Sequence, residues 1–231
     1  MLAIANSIIP AEARQSLSYL ADYVPFSTSG ITFKPLSGHI DVFAYCTSDT
    51  LVLAPNIPQR YVDLFTQRGV SYCFGTTPVG EDIDSVVAYN VATNSRIAVH
   101  NFKKTDSVVA NIIHDLQHIA CKQSFSRCST LLLTDAAITS DRGIVKELQK
   151  AAIDVLYVSP SEIALPGYRC GCFGGCCGVV ENKVVVCGSM DFHPQGNDIR
   201  TFIDNHGFQI IELAHFPLLD VGSIFFVKTE R

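Results

Sequence analysis

The chain has no tryptophan, only two methionines and little charge, since Asp, Glu, Lys and Arg make up 17% of its 231 residues. The few charges lean acidic, 22 acidic against 17 basic side chains, for a net charge of −5. A nucleic-acid surface usually needs a basic stripe, so no nucleic-acid partner is expected. No segment approaches the roughly 20 uninterrupted apolar residues that span a bilayer. The opening MLAIANSIIP has no charged region ahead of a long apolar run and does not read as a secretory signal. The expected setting is therefore the cytoplasm, with a small molecule rather than a membrane as partner. The sequence sets no oligomeric state. Low-complexity segments and flexible linkers are also missing.

What is present is a large core and many thiols. Apolar residues are 48% of the chain, with 14 Phe and 8 Tyr, and there are nine cysteines. In a reducing cytosol such cysteines are thiols, ligands or nucleophiles rather than disulfides.

One pattern repeats five times: an apolar strand, a polar turn, an amphipathic helix and a second apolar strand. The repeats begin at Leu2, Leu51, Ile97, Leu131 and Val184 and consume the whole chain. The helices follow from period and capping. Pro58 opens one that carries Val62, Leu64 and Phe65. Asp106 caps Ser107–His118, and Ser140 caps Asp141–Ala151. Gly196–His206 carries Ile199, Phe202 and Ile203. Gly69 and Gly207 suit the position just past a helix end. Between repeats lie extra strands, expected at Ile40–Cys46, Ser85–Asn90, Phe125–Leu132, Cys176–Val180 and Val221–Val227. The first four each turn back into the next repeat, as hairpins do, at Thr47–Asp49, Thr93–Ser95, near Ser129 and at Glu181–Lys183. The fifth has Met1–Asn6 as its symmetric partner. The expected fold is thus α/β, one domain over residues 1–231, closed by pairing of its N- and C-terminal strands. It is a five-bladed α/β propeller with one extra strand per unit lining a central channel. Thr76–Ile83 and Ser27–Gly38 are the expected longer loops.

Chemistry should collect where those extra strands converge. Alternate residues of a strand share a face, so His39 and Asp41 would stand side by side, a proton carrier beside a carboxylate; such pairs are also common in purely structural roles. Cys128 sits among Ser126, Arg127 and Ser129, a polar setting in which Arg127 could favour a thiolate, although a small buried thiol is the plainer reading. Asp220, an acid on an apolar strand before Gly222 and Ser223, occupies the matching place in its unit, unless it only shapes a turn. The densest thiol cluster is Cys170, Cys172, Cys176 and Cys177. Four thiols could hold zinc, but paired CxxC knuckles are absent, and adjacent cysteines on a strand point to opposite faces. Close glycine packing near the axis explains FGGCCG equally well. His193 reads as a loop residue, and His114, His118 and His206 as structural. No motif implies a cofactor.

Five such units, with the motifs GHIDVFAY, AYN (Ala88–Asn90), RCST, FGGCCG and LLDVGSIFFV, resemble the pentein fold of guanidine-modifying enzymes over the whole chain. They are most similar to an uncharacterised bacterial family assigned to that fold. In those enzymes a channel cysteine attacks the guanidinium carbon, a histidine moves protons, and carboxylates grip the planar cation. The resemblance implies Cys128 as nucleophile, His39 as acid/base, and Asp41 with Asp220 as orienting acids. It also implies Asn90, Arg127 and Ser223 in substrate binding. Two departures stand out. The C-terminal channel strand has no Cys, so the chain order is rotated relative to the enzymes, and FGGCCG lacks the acid expected of its unit. Either the substrate is not arginine-like, or the chain is a non-catalytic pentein-fold binding module.

Overall fold

A computed structural model describes residues 1–229. The five repeats fold as five three-stranded sheets. Each sheet has a first strand, a middle strand antiparallel to it, and a third strand parallel to the middle one. In the first sheet these are Phe225–Val227, Leu2–Asn6 and Asp22–Phe26. The second is Ala44–Cys46, Leu51–Leu53 and Cys73–Phe74. Then come Ala92–Thr93, Ile97–His100 and Gln117–Ala120, and Thr130–Leu132, Ala136–Thr139 and Asp154–Tyr157. The last is Cys177–Val180, Lys183–Val186 and Gln209–Glu212. The chain ends meet in the first sheet, where Leu2 pairs with Val227 and Ile4 with Phe225.

A helix links each middle strand to its parallel neighbour, as a parallel pair requires: Ala11–Ser18, Gln59–Gln67, Ser107–Ile112, Arg142–Lys150 and Gly196–Asn205. Each buries a narrow stripe, such as Tyr61 with Phe65, Ile144 with Leu148, and Ile199 with Ile203. Asp106 caps its helix by accepting from the Val108 and Val109 amides. That helix ends at Ile112, shorter than the expected Ser107–His118, because His118 already belongs to the third strand. Asp141, not Ser140, caps Arg142–Lys150, accepting from the Ile144 amide at 2.8 Å; the Ser140 hydroxyl instead accepts from the Phe173 amide. Gly69 and Gly207 do follow helix ends with positive φ.

The extra strands differ most from expectation. Cys177–Val180 is almost as expected, but Ala44–Cys46, Thr130–Leu132 and Phe225–Val227 are much shorter, and the expected strand Ser85–Asn90 is instead helical turn and loop, with the strand at Ala92–Thr93. Four units have a helical turn ahead of the first strand: Ile40–Phe43, Ile83–Val87, Ser126–Ser129 and Gly174–Cys176. Most of their residues are buried whatever side they face, as with Ile40, Asp41, Val42 and Phe43, although Ile83 and Asp84 are exposed and Arg127 is half-buried. Periodicity alone does not separate such a run from a strand. In the fourth unit the strand at Leu131 is the first strand, and the middle strand starts at Ala136, so the hairpin turn follows Leu132 rather than Ser129. The longest irregular stretch is 158–173, which the repeat pattern had absorbed.

Neighbouring units touch in sequence. The first strand of the first sheet packs on those of the second and the fifth, and the third and fourth first strands pack on each other. The helical turns Ile40–Phe43 and Ile83–Val87 join the second unit to the third, and Ser126–Ser129 with Gly174–Cys176 joins the fourth to the fifth. A cavity of about 740 Å³ is lined by residues of all five first strands and by the turns at Thr47–Asp49, Asn94–Ser95 and Glu181. In the four units that have a helical turn, the turn precedes the first strand, and the cavity lies along the strand toward its far end. Among the described residues, no helix is long and apolar enough to cross a membrane.

Candidate active site

The helical turns bring remote residues together. His39 is the extended residue before Ile40–Phe43, and its carbonyl accepts from the Val42 amide. The turn replaces the strand alternation expected for His39 and Asp41, yet both side chains still reach one place. Single donor atoms of His39, Asp41 and Cys128 all lie within 4.8 Å of one another. The Cys128 thiol donates to Asp41 Oδ2 at 2.9 Å, and Ser223 Oγ donates to the same oxygen at 2.7 Å.

Asn90 fixes the cysteine. Its Oδ1 accepts from the backbone amides of Arg127 (2.9 Å) and Cys128 (3.1 Å). Its Nδ2 donates to the Asp41 carbonyl at 3.2 Å and approaches the Cys128 sulfur at 3.5 Å. One amide thus ties together the turns that carry Asp41 and Cys128.

Asp220 accepts from the Cys172 amide (2.8 Å) and the Gly222 amide (3.0 Å). The glycines around it have a clear physical reason. A Cβ at Gly175 would overlap the Asp220 carboxylate, and one at Gly174 would overlap the Arg127 carbonyl. FGGCCG therefore contributes space and backbone rather than an acid. Gly222 has φ of +68°, and a Cβ there would overlap His39. Ser223 follows at φ +70°, a left-handed conformation that costs a side-chain-bearing residue about 1 kcal/mol or more. Its amide and hydroxyl explain the strain, one bonded to the Gly175 carbonyl at 2.8 Å and the other to Asp41.

The site is deeply buried. Relative exposure is 1% for His39, 0% for Asp41, 2% for Asp220 and 6% for Cys128. Both ring nitrogens of His39 and Asp41 Oδ1 have no hydrogen-bond partner. Each such buried polar atom costs about 1–3 kcal/mol, so their concentration here marks a site built for something other than stability. Burial, then Asp41 and Asp220, push the Cys128 thiol well above its ordinary range. Burial also raises the Asp220 carboxyl, against the pull of His39 and two backbone amides. The resting cysteine is therefore a protonated thiol that donates a hydrogen bond.

Arg127 is the sequence-selected residue that the structure places elsewhere. Its guanidinium turns away from Cys128, donating to the Gly174 carbonyl (2.9 Å) and the Cys177 carbonyl (3.0 Å). The four clustered cysteines do not converge either. Among the described residues, the only group with metal-ligand spacing is His39, Asp41 and Cys128, a nitrogen, oxygen and sulfur set that zinc accepts. All nine cysteines are free. Sequence reasoning missed how Asn90 acts. Its signal was its place one unit before the cysteine, at the end of AYN.

Comparison with solved structures gives the fold its class. The chain superposes on an agmatine deiminase from C. jejuni carrying a cysteine-to-serine substitution, with substrate bound (TM-score 0.60, 10% identity, covering 100% of this chain and 94% of that one). It superposes on the amidinotransferase SxtG from Microseira wollei (TM-score 0.56, 12% identity, 93% and 88%). A dimethylarginine dimethylaminohydrolase mutant from Pseudomonas aeruginosa, complexed with citrulline, matches less closely (TM-score 0.51, 11% identity, 91% and 91%). The fold is that of the pentein superfamily. The chain belongs to a family of unknown function, DUF6873, whose model matches residues 4–225. No curated protein matches the chain.

Proposed function

We propose that the five sheets form a pentein-type five-bladed ring of one domain, and that its buried end acts on a small cationic guanidine or amidine by cysteine chemistry. The observation that carries this reading is the meeting of Cys128, His39 and Asp41, with three unpartnered polar atoms among them, beside Asp220, whose charge is felt by Cys128 and which feels His39 and Asp41, residues from three separate units. Guanidinium groups present a rigid fork of N–H donors that suits paired carboxylates. Asp41 and Asp220 are the acids available to receive it.

The electrostatics favour a reaction started by the substrate. The two acids that disfavour a thiolate at Cys128 would be offset by a bound cation, lowering the cost of ionisation. His39 takes the thiol proton, and the sulfur bonds to the central carbon. As the C–N bond breaks, imidazolium returns that proton to the departing amine, leaving a covalent amidino-thioether. His39 then deprotonates a water, or an acceptor amine, which adds to the carbon. The C–S bond breaks and the thiol regains its proton. Water makes this a hydrolase, an amine a transferase. Asn90 and Ser223 are positioning residues, one for the cysteine backbone and one for the Asp41 carboxylate.

The test is an amidine bearing a halide leaving group, read by peptide mass spectrometry across all nine thiols. Labelling of Cys128 at least tenfold faster than of exposed Cys73 is expected, slowed in Asp220→Asn and His39→Asn and abolished in Cys128→Ser. Label on Cys73 with Cys128 inert would end the reading. The burial of the whole cluster favours a second reading, a binding module without turnover. Intact labelling chemistry with no product from agmatine, arginine or methylated arginines would point there.

A further inference from the structure

Cys128 and Arg127 are consecutive, yet one side chain enters the buried cluster and the other lines the cavity. Arg127 lines the 740 Å³ cavity walled by the five first strands, a volume in the range of small-molecule sites. We infer that this cavity is a binding site for a small organic anion, held by the Arg127 guanidinium, and that its occupancy is felt at Cys128. The inference does not rest on the proposed chemistry of the thiol.

Charge accounting points to an anion. Two acids line the mouth, and each already has a lysine: Asp49 with Lys228 at 2.6 Å, and Glu181 with Lys183 at 3.4 Å. Asp49, Lys228 and Glu181 are mostly exposed. Arg127 lies deeper, half-buried, and among the described residues no carboxylate comes within ion-pair distance of it. Its charge is met only by the carbonyls of Gly174 and Cys177 and by the Phe225 ring, 5.9 Å from the guanidinium carbon. Those contacts use one N–H on each terminal nitrogen and leave three of the five donors. They also fix the side chain before any ligand arrives, so little rotamer entropy remains to be lost on binding. A held, partly desolvated fork with spare donors is a receptor for carboxylate or phosphate oxygens.

The route to the buried site is short. Asn90 Oδ1 holds the amides of both Arg127 and Cys128, and Asn90 Nδ2 reaches the Asp41 carbonyl. Gly174, whose carbonyl anchors the guanidinium, is packed too closely on the Arg127 backbone to admit a Cβ. A pull on the guanidinium therefore reaches the peptide that carries the sulfur.

The probes are inorganic phosphate and succinate, titrated against chloride at matched ionic strength. A saturable rise in melting temperature is expected by mass action, present in wild type and in Cys128→Ser. At least a tenfold loss of affinity is expected in Arg127→Gln, with partial retention in Arg127→Lys. The tighter of the two anions identifies a phosphate or a carboxylate headgroup. Cys46 also lines the cavity, so in wild-type protein the bound anion should slow its alkylation by N-ethylmaleimide at least threefold, even if the arginine variants do not fold. Iodoacetamide labelling of Cys128 should change at least twofold with the anion present. An Arg127→Gln shift equal to wild type, or no saturable shift together with unprotected Cys46, overturns the site. A saturable shift with an unchanged Cys128 rate overturns the communication. Because Cys128→Ser keeps the anion response, failure of the thiol chemistry leaves a distinct signature.

Discussion

The two ends of the first strands are built from the same five segments and behave oppositely. At the helical-turn end, Asp41, Asp220, His39 and Cys128 are almost fully buried, carry unpartnered polar atoms and are packed against glycines that admit no Cβ. At the hairpin end, the charges are mostly exposed and paired, and the segments part around a cavity. The difference shows how one topology separates two demands. Tight closure concentrates charge where dielectric screening is low, while the splayed turns keep solvent access.

Substitutions that respect one end and offend the other sharpen this contrast. The largest effect is expected for Gly175→Ala. Its Cβ would meet the Asp220 carboxylate at a place where the backbone is also bonded to Val221 and Ser223. A loss of about 3 kcal/mol or more in urea unfolding is expected, within the range of severe core overpacking. A value under 1 kcal/mol would show that the closed end is looser than its geometry.

A middle effect comes from alkali. Burial raises the Cys172 and Cys187 thiols to about 12, and raises Cys128, Cys176 and Cys177 as well. A thiol whose folded pKa lies above its unfolded value binds its proton more tightly when folded. The stability it contributes is complete below pH about 8.5 and is lost as pH rises toward 12. The urea midpoint should fall steadily between pH 8.5 and 10.5, and replacing Cys187 with Ala should flatten that slope. A pH-independent midpoint would contradict the sealed packing. The smallest effect belongs to the open end. Lys228→Ala removes an exposed partner of Asp49, and exposed pairs contribute little. No change in urea midpoint beyond error is expected.

How much was legible follows from the kind of signal each element carries. The five middle strands and helices announce themselves through period, and Asp106, Gly69 and Gly207 mark ends by local chemistry. The pairing of Leu2–Asn6 with Phe225–Val227 was also readable, because one strand lacked a partner at each end. The helical turns were not. GHIDVF is buried on every side and SRCS on all but Arg127, so no alternation distinguishes turn from strand. That ambiguity cost little for His39 and Asp41, which converge either way. It mattered for Arg127, because a turn sends adjacent side chains in directions that a pleated strand does not. The acid missing from FGGCCG was seen correctly, but its meaning needed the packing: those glycines make room for Asp220, which arrives from another unit.

The seam between Leu2–Asn6 and Phe225–Val227 carries one last implication, for synthesis. Leu2–Asn6 leaves the ribosome long before Phe225–Val227, and its sheet is incomplete until that strand arrives. Because contacts that distant form slowly, the half-made molecule must carry an unmatched edge through most of translation, at a stage when such edges invite aggregation.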